Sequence, residues 1–140
     1  MCCAYVTAMA KRVEELLVYQ KALEAADEVS DLLRSEAFAK DLRLRGQIGA
    51  SSERVVSVIS EGFEQKTDRH FASFLYTARG SSAETRTQLR IAERRGYVTS
   101  GKRIELDAKY EEIKKMLTGL IHHLEKEDRK HRHRPGTENC

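Results

Sequence analysis

The last long apolar pattern of the chain constrains its fold more than any other feature. Between residues 106 and 124, apolar side chains recur in alternating steps of four and three, which is the heptad seam of a helix. The seam consists of Leu106, Tyr110, Ile113, Leu117, Leu120 and Leu124. Such a seam packs either inside a bundle or between subunits. It predicts a long helix that starts at Thr99 or Ser100 and runs to about Lys130.

Nothing upstream obliges a helix to break. Proline occurs once in the 140 residues, at position 135. Charged residues make up 34% of the chain and aromatic residues only 6%, which favours an all-helical protein with one core. We therefore expect an all-α fold, an antiparallel up-and-down four-helix bundle over residues 13–127. Disordered segments are expected at 1–12 and, as a basic tail, at 128–140.

Three more helices are predicted from apolar residues spaced three and four apart. The first spans residues 13–34, and its apolar face contains Val13, Leu16, Tyr19, Leu23, Ala26, Val29 and Leu33. The second spans about residues 41–65, and a neighbouring helix could approach closely at its small residues Gly49, Ala50, Ser51 and Ser52. The third starts at an N-cap on Thr67 or Asp68 and ends before Gly96. Its buried stripe contains Phe71, Phe74, Ala78, Ser82 or Thr85, Leu89 and Ala92.

Charge is unevenly distributed along the chain. The net charge of +3 comes from the two ends, since residues 13–127 carry minus one. The outer side of the first helix is acidic, with six carboxylates against two cations, whereas residues 67–98 carry six arginines against three carboxylates. Four of these arginines share one side of the third helix, beside its apolar stripe: Arg79, Arg86, Arg90 and Arg94.

The sequence lacks the residue patterns that are typical of catalytic or metal-binding sites. It contains no phosphate-binding glycine loop, no His-Glu-x-x-His motif and no nucleophile elbow. His122 and His123 are adjacent, so on a helix they point about 100° apart and cannot share a metal. Cys2, Cys3 and Cys140 have neither disulfide-framework nor zinc-site spacing. We expect a protein that is not an enzyme and that has no metal or cofactor.

The sequence has no candidate membrane segment. No apolar run approaches the roughly 20 residues needed to span a bilayer, and the N-terminus lacks the pattern of a secretory signal. A cytoplasmic protein with no membrane partner is expected.

A motif around the second and third helices resembles a known family. It reads Glu61-Gly62-Phe63, then Phe71, Phe74 and Leu75, then Ala78-Arg79-Gly80-Ser81 and Glu84, with Val18-Tyr19-Gln20-Lys21-Ala22 and Gln47-Ile48 upstream. This pattern resembles the four-helix bundle proteins encoded by intervening sequences of bacterial ribosomal RNA genes, over residues 14–124. The chain departs from the family at Tyr19, where relatives usually have Trp, and at Gly49 and Ala50, where they have two arginines.

The resemblance implies an antiparallel bundle that assembles into a ring-shaped homopentamer. A related branch, the accessory variability determinants of diversity-generating retroelements, works beside a reverse transcriptase and binds nucleic acid. The resemblance also implies structural roles for most matching residues: Tyr19, Gln20, Gln47, Glu61, Gly62, Phe63, Phe71, Phe74, Gly80, Ser81 and Glu84. We expect close helix approach at Gly62 and Gly80, and a pair between Arg79 and Glu61 or Glu84.

Two functions remain open from the sequence. In the first, the chain is an accessory protein that binds RNA or DNA, and its phosphate contacts are Arg79, Arg86, Arg90, Arg94, Arg129, Lys130, Arg132 and Arg134. In the second, it is a protein-interaction scaffold whose arginines pair with the acidic side of the first helix, in the same subunit or the next. Salt dependence of nucleic-acid binding distinguishes the two.

Overall fold

The computed structural model describes residues 10–133, and this part of the chain is all-α. It contains no strand and four α-helices: α1 (Leu17–Leu33), α2 (Leu42–Phe63), α3 (Asp68–Arg94) and α4 (Ser100–Arg132). Short 3₁₀ segments, Val13–Glu15 and Glu36–Lys40, precede α1 and α2. α1 packs against α2 and α4, α2 against α3, and α3 against α4. Within the described residues, no helix is both long and apolar enough to cross a bilayer.

Side-chain caps set the starts of α3 and α4. Thr67 Oγ1 accepts a hydrogen bond from the amide of His70 at 3.2 Å, and Thr99 Oγ1 accepts one from the amide of Lys102 at 3.2 Å. Each cap satisfies an amide of the first turn that has no partner within its helix. Gly96, just beyond α3, has a φ of +80°, a conformation that glycine adopts without strain. The predicted boundaries at these three residues are confirmed.

The start of the first helix is predicted wrongly, and its buried face is predicted only in part. A 3₁₀ turn and an extended Leu16 (φ −75°, ψ 120°) precede α1, so the helix begins at Leu17 rather than at residue 13. Because helical periodicity cannot be counted through this break, the predicted face is correct at Leu16, Val29 and Leu33 but not between them. The buried residues of α1 are Val18, Ala22, Ala25, Val29 and Leu33. Leu23 is instead 43% exposed, and Tyr19 is half-buried at the edge of the core.

The heptad seam lies inside the subunit. All six of its residues are buried, and Ile121 is buried beside them. The core also contains Phe38 from the second 3₁₀ segment, whose ring centroid lies 5.6 Å from that of Tyr97. Residues 35–40 lie between the first two predicted helices, and the sequence does not reveal this contact, because a single aromatic residue has no periodicity.

Gly62 and Gly80, the two glycines of the family motif, differ in their surroundings. A Cβ atom on Gly62 would lie 2.7 Å from Phe74 Cβ and 3.0 Å from Phe71 Cδ2, so the missing side chain lets α2 and α3 touch. A Cβ atom on Gly80 would meet no described atom within 4 Å. The predicted close approach is confirmed for Gly62 and wrong for Gly80 within this chain. Phe71 is buried and packs edge-on against Phe63, whereas Phe74 is half-buried.

Hydrogen bonds cross the middle of the α2–α3 interface. Ser51 donates to Gln88 Oε1 at 2.7 Å, and the Ser51 and Thr85 hydroxyls lie 2.8 Å apart. Gln88 donates to Glu84 at 3.2 Å, and Arg54 Nη1 lies 3.3 Å from the other Glu84 oxygen. We call these five residues the α2–α3 polar network. It satisfies hydroxyl and amide groups that would be costly to bury unpaired.

The C-terminal part of α4 extends beyond its predicted domain. The helix continues to Arg132, so the expected disorder is wrong for residues 128–132. Lys130 pairs with Glu127 at 2.9 Å, and Arg132 pairs with Asp128. Such pairs, together with cations near a helix C-terminus, stabilise the last turns. The expectations for residues 1–9 and 134–140, including Arg134, lie outside the described residues.

Candidate nucleic-acid interface

Arg86 forms the centre of an ion-pair cluster between α3 and α4. Its guanidinium group contacts both Asp107 oxygens, at 2.9 and 3.1 Å, and lies 2.5 Å from Glu111 Oε2. The hydrogen bonds from Arg86 lower the pKa of both carboxyl groups, and the bonds to Asp107 raise the pKa of Arg86. The Arg86 side chain is only 21% exposed. Its charge is therefore balanced, and it joins two helices of the same subunit.

Arg90 and Arg94 lie at the other end of the predicted arginine stripe. Arg90 Nη2 is 3.9 Å from Asp107 Oδ1, and Arg94 is exposed in the last turn of α3. The predicted pairing of the stripe with the first helix is wrong within the subunit, because Arg86 and Arg90 pair with carboxylates of α4 instead. The acidic side of α1 also meets α4, where Glu28 pairs with Lys109.

Arg79 faces an aromatic ring and a hydroxyl group rather than a carboxylate. Its Nη1 donates to Thr118 Oγ1 at 3.1 Å, and its guanidinium carbon lies 4.9 Å from the centroid of the Tyr76 ring. This second contact is a cation–π interaction. The predicted pair with Glu61 or Glu84 is wrong within the chain, since Glu84 belongs to the α2–α3 polar network.

Two grooves meet at Tyr76 on the α3–α4 surface. The first, here the Arg79 groove, has a volume of about 350 Å³ and is lined by Tyr76, Arg79, Gly80, Ser82, Ala83, Arg86 and Lys114. The second, here the Arg129 groove, has a volume of about 440 Å³ and is lined by Arg69, Ala72, Ser73, Tyr76, Glu125, Asp128, Arg129 and Arg132. Cationic side chains outnumber carboxylates in both.

Tyr76 is positioned as an exposed aromatic ring between these cations. Its side chain is 43% exposed, and its hydroxyl donates to Glu125 Oε1 at 2.7 Å. That hydrogen bond raises the pKa of Tyr76, a phenol that is already neutral at neutral pH without the shift. An aromatic ring beside cationic side chains is the arrangement on which nucleic-acid bases stack while phosphates are neutralised.

The grooves bring together only part of the predicted site. Arg79, Arg86, Arg129 and Arg132 line them, whereas Arg90, Arg94 and Lys130 do not.

The sequence misses two cations and the aromatic ring of the grooves. Tyr76 lies three residues before Arg79, and Arg69 lies seven residues before Tyr76, so helical periodicity could have placed each of them beside the next on α3. Lys114 could not have been found in this way, because it lies on α4 and joins the site only through packing. Elsewhere in residues 10–133, no three His, Cys, Asp or Glu side chains come together as a metal site.

Over residues 10–133, the helices and their surface define the class: an all-α protein of four helices with a basic face that carries an exposed tyrosine. The sequence model of the 23S rRNA-intervening sequence protein family matches residues 14–119. The chain belongs to this family, which confirms the resemblance seen in its motif.

A solved structure supports the fold. The crystal structure of a protein of unknown function from the S23 ribosomal protein family of Bacteroides thetaiotaomicron matches with a TM-score of 0.68 and 23% identity. The match covers 75% of this chain and 98% of that one. No curated protein matches the chain.

Proposed function

We propose that this chain is a non-enzymatic nucleic-acid-binding protein whose contact surface is the pair of grooves on α3 and α4. The observation that carries the proposal is the exposed Tyr76 ring between Arg79 and Lys114 on one side and Arg69 and Arg129 on the other. The family description, which names a 23S rRNA intervening sequence, is consistent with an RNA-associated role.

The charges of the grooves favour phosphate contacts that tolerate many sequences. Arg79 forms no ion pair with any carboxylate of residues 10–133, so its guanidinium charge is available to a phosphate. Arg86 contributes less, because Asp107 and Glu111 already hold it. The proposal includes an antiparallel arrangement of the helices and a ring-shaped homo-oligomer. Repetition of the grooves around a ring would let individually weak contacts act together, as in an accessory subunit of an RNA- or reverse-transcriptase-containing complex.

Binding of the full chain to labelled RNA and duplex DNA, followed by fluorescence anisotropy over a series of salt concentrations, tests this function. Affinity should fall steeply with salt, because each neutralised phosphate releases counterions. Arg79→Gln and Lys114→Gln should each weaken binding and reduce the salt slope by about 0.7 to 0.9. Lys115→Gln makes the same charge change on the same helix outside the grooves, and should leave both unchanged.

The absence of binding to either nucleic acid at low salt would contradict the proposal. Equal losses for Lys114→Gln and Lys115→Gln would also contradict it, since they would indicate a response to net charge alone.

A scaffold function is the second candidate, and a groove between α1 and α2 favours it. This groove has a volume of about 420 Å³; the apolar side chains Tyr19, Leu23 and Val56 line it together with the carboxylates Asp27 and Glu53. An acidic, partly apolar groove on these helices could receive the basic α3–α4 face of another copy, and repetition of such a contact would form a ring or a filament.

Measurement of the mass by light scattering at low and high salt tests the scaffold function. Leu23→Asp should dissociate the oligomer, while Leu17→Asp, at another exposed leucine of α1 outside this groove, should not. If the mass of the oligomer changes neither with salt nor in Leu23→Asp, this interface is excluded.

A further inference from the structure

The Arg79 groove contains a polar group that the protein itself does not satisfy. Ser82 lines this groove and is 1% exposed, yet its Oγ has no hydrogen-bond partner among residues 10–133. A serine inside a helix commonly donates to the carbonyl four residues earlier, and this one does not. A buried hydroxyl without a partner destabilises the folded protein. The hydroxyl has no competing partner among the described residues, and an acceptor that enters the groove would reach it once the atoms that cover it move aside.

The cations of the same groove make that acceptor an anion. Neither Arg79 nor Lys114 forms an ion pair with a carboxylate of residues 10–133. The nearby Glu111 is held at 2.5 Å by Arg86. Two cations and a free hydroxyl group around one space suit a phosphate group, whose oxygens accept several hydrogen bonds at once.

The remaining wall of the groove is the Tyr76 ring. Arg79 lies over this ring, 4.9 Å from its centroid, and the side chain is still 43% exposed. A cavity of about 350 Å³ is within the range of sites for small organic groups. It has room for a base as well as its phosphate.

We propose that the Arg79 groove seats one unpaired nucleotide of a single strand, with its phosphate at Arg79, Lys114 and Ser82 and its base on Tyr76. This rests on the proposed function and adds the substrate class, single-stranded rather than duplex nucleic acid. In a duplex the bases are stacked on one another and are not free to stack on a tyrosine.

The test compares the full chain on a labelled single-stranded RNA and on the same sequence annealed to its complement, by anisotropy at one salt concentration. The single strand should bind more tightly. Tyr76→Ala should weaken single-strand binding by about tenfold, the loss expected for one stacked base, and should change duplex binding little. Tyr76→Phe keeps the ring and should bind the single strand nearly as well as the natural protein.

Ser82→Ala separates a binding role from a structural one. Because it removes a buried hydroxyl that has no partner, it should keep or raise the melting temperature. It should nevertheless weaken single-strand binding several-fold, since the phosphate loses a donor. A purely structural role would not move affinity and stability in opposite directions.

Three outcomes overturn the inference while leaving the proposed function standing. The first is equal affinity for the single strand and the duplex. The second is an unchanged single-strand affinity in both Tyr76→Ala and Ser82→Ala. The third is displacement of the strand by a free nucleoside monophosphate at the same nucleotide concentration. The last would assign the groove to a free nucleotide. A lack of binding to every nucleic acid at low salt would instead remove the proposed function as well.

Discussion

Substitution of Gly62 by alanine should destabilise the protein, although alanine is the better helix former. The new Cβ would lie 2.7 Å from Phe74 Cβ, whereas unstrained contacts begin near 3.4 Å, so the helices must separate by about 0.7 Å. Phe74 Cβ is fixed to the α3 backbone and cannot rotate away. Overpacking of this kind costs about 1–3 kcal/mol. The gain in helix propensity offsets less than about 1 kcal/mol of it, since Gly62 lies next to the last residue of α2.

The expected net loss is about 1–2 kcal/mol, or a fall in melting temperature of about 4–8 °C. Gly80→Ala is the matched control, because it makes the same change in the middle of α3 where no described atom lies within 4 Å of the new Cβ. It should stabilise the protein by about 0.5–1 kcal/mol. Thermal unfolding followed by circular dichroism measures both. If the two variants shift the melting temperature in the same direction, the close approach of α2 and α3 at Gly62 is refuted.

Three further predictions concern half-buried and buried polar groups. Arg86→Met should lower the free energy of unfolding by about 1–3 kcal/mol, because it leaves Asp107 without its partner; a change below about 0.5 kcal/mol in urea titration would contradict this. Arg86 lowers the pKa of Asp107 and Glu111 in the folded state. The two carboxylates therefore stabilise the fold above their unfolded-state pKa values, near pH 4, and this contribution is lost as the pH falls through their lower folded-state pKa values. In Asp107→Asn the unfolding free energy should depend less on pH in this acid range. Tyr110→Phe removes a buried hydroxyl with no partner in residues 10–133 and should raise the melting temperature by a few degrees; a fall would show that the hydroxyl has a partner.

Helix positions were largely predictable because the chain has strong periodicity and few helix breakers. The seam of α4 and the caps at Thr67 and Thr99 lie where the sequence places them. The face of α1 was predicted only in part: Val29 and Leu33 are buried as expected, whereas Val18, Ala22 and Ala25 were missed because Leu16 interrupts the helix. The α2–α3 polar network was hidden for a related reason: Gln88 is buried, but pattern rules count it as polar and exposed.

The candidate site was predicted in part on α3, at Arg79 and Arg86, and in part on α4, at Arg129 and Arg132. Arg79 and Arg86 share a face of α3, and the sequence alone shows this. Which helix lies beside that face is a property of packing, so the partners Asp107 and Lys114 on α4 could not be assigned. The charge of an arginine depends on that neighbour. Carboxylates of α4 neutralise Arg86, whereas Arg79, which lines the same groove, has no carboxylate partner in residues 10–133.

The small residues on the buried face of α1 determine how the protein opens. Ala22 and Ala25 bury little apolar surface, whereas α2 and α3 are joined by a polar network and α3 and α4 by the Arg86 cluster. Detachment of α1 breaks apolar contacts and the Glu28–Lys109 ion pair but neither of these polar clusters, so we expect it to open before the other helices separate. The amides of α1 are expected to exchange with solvent through this partial opening, while those of the other three helices exchange only when they unfold together. Such an exchange pattern would show that α2, α3 and α4 form one cooperative unit from which α1 detaches.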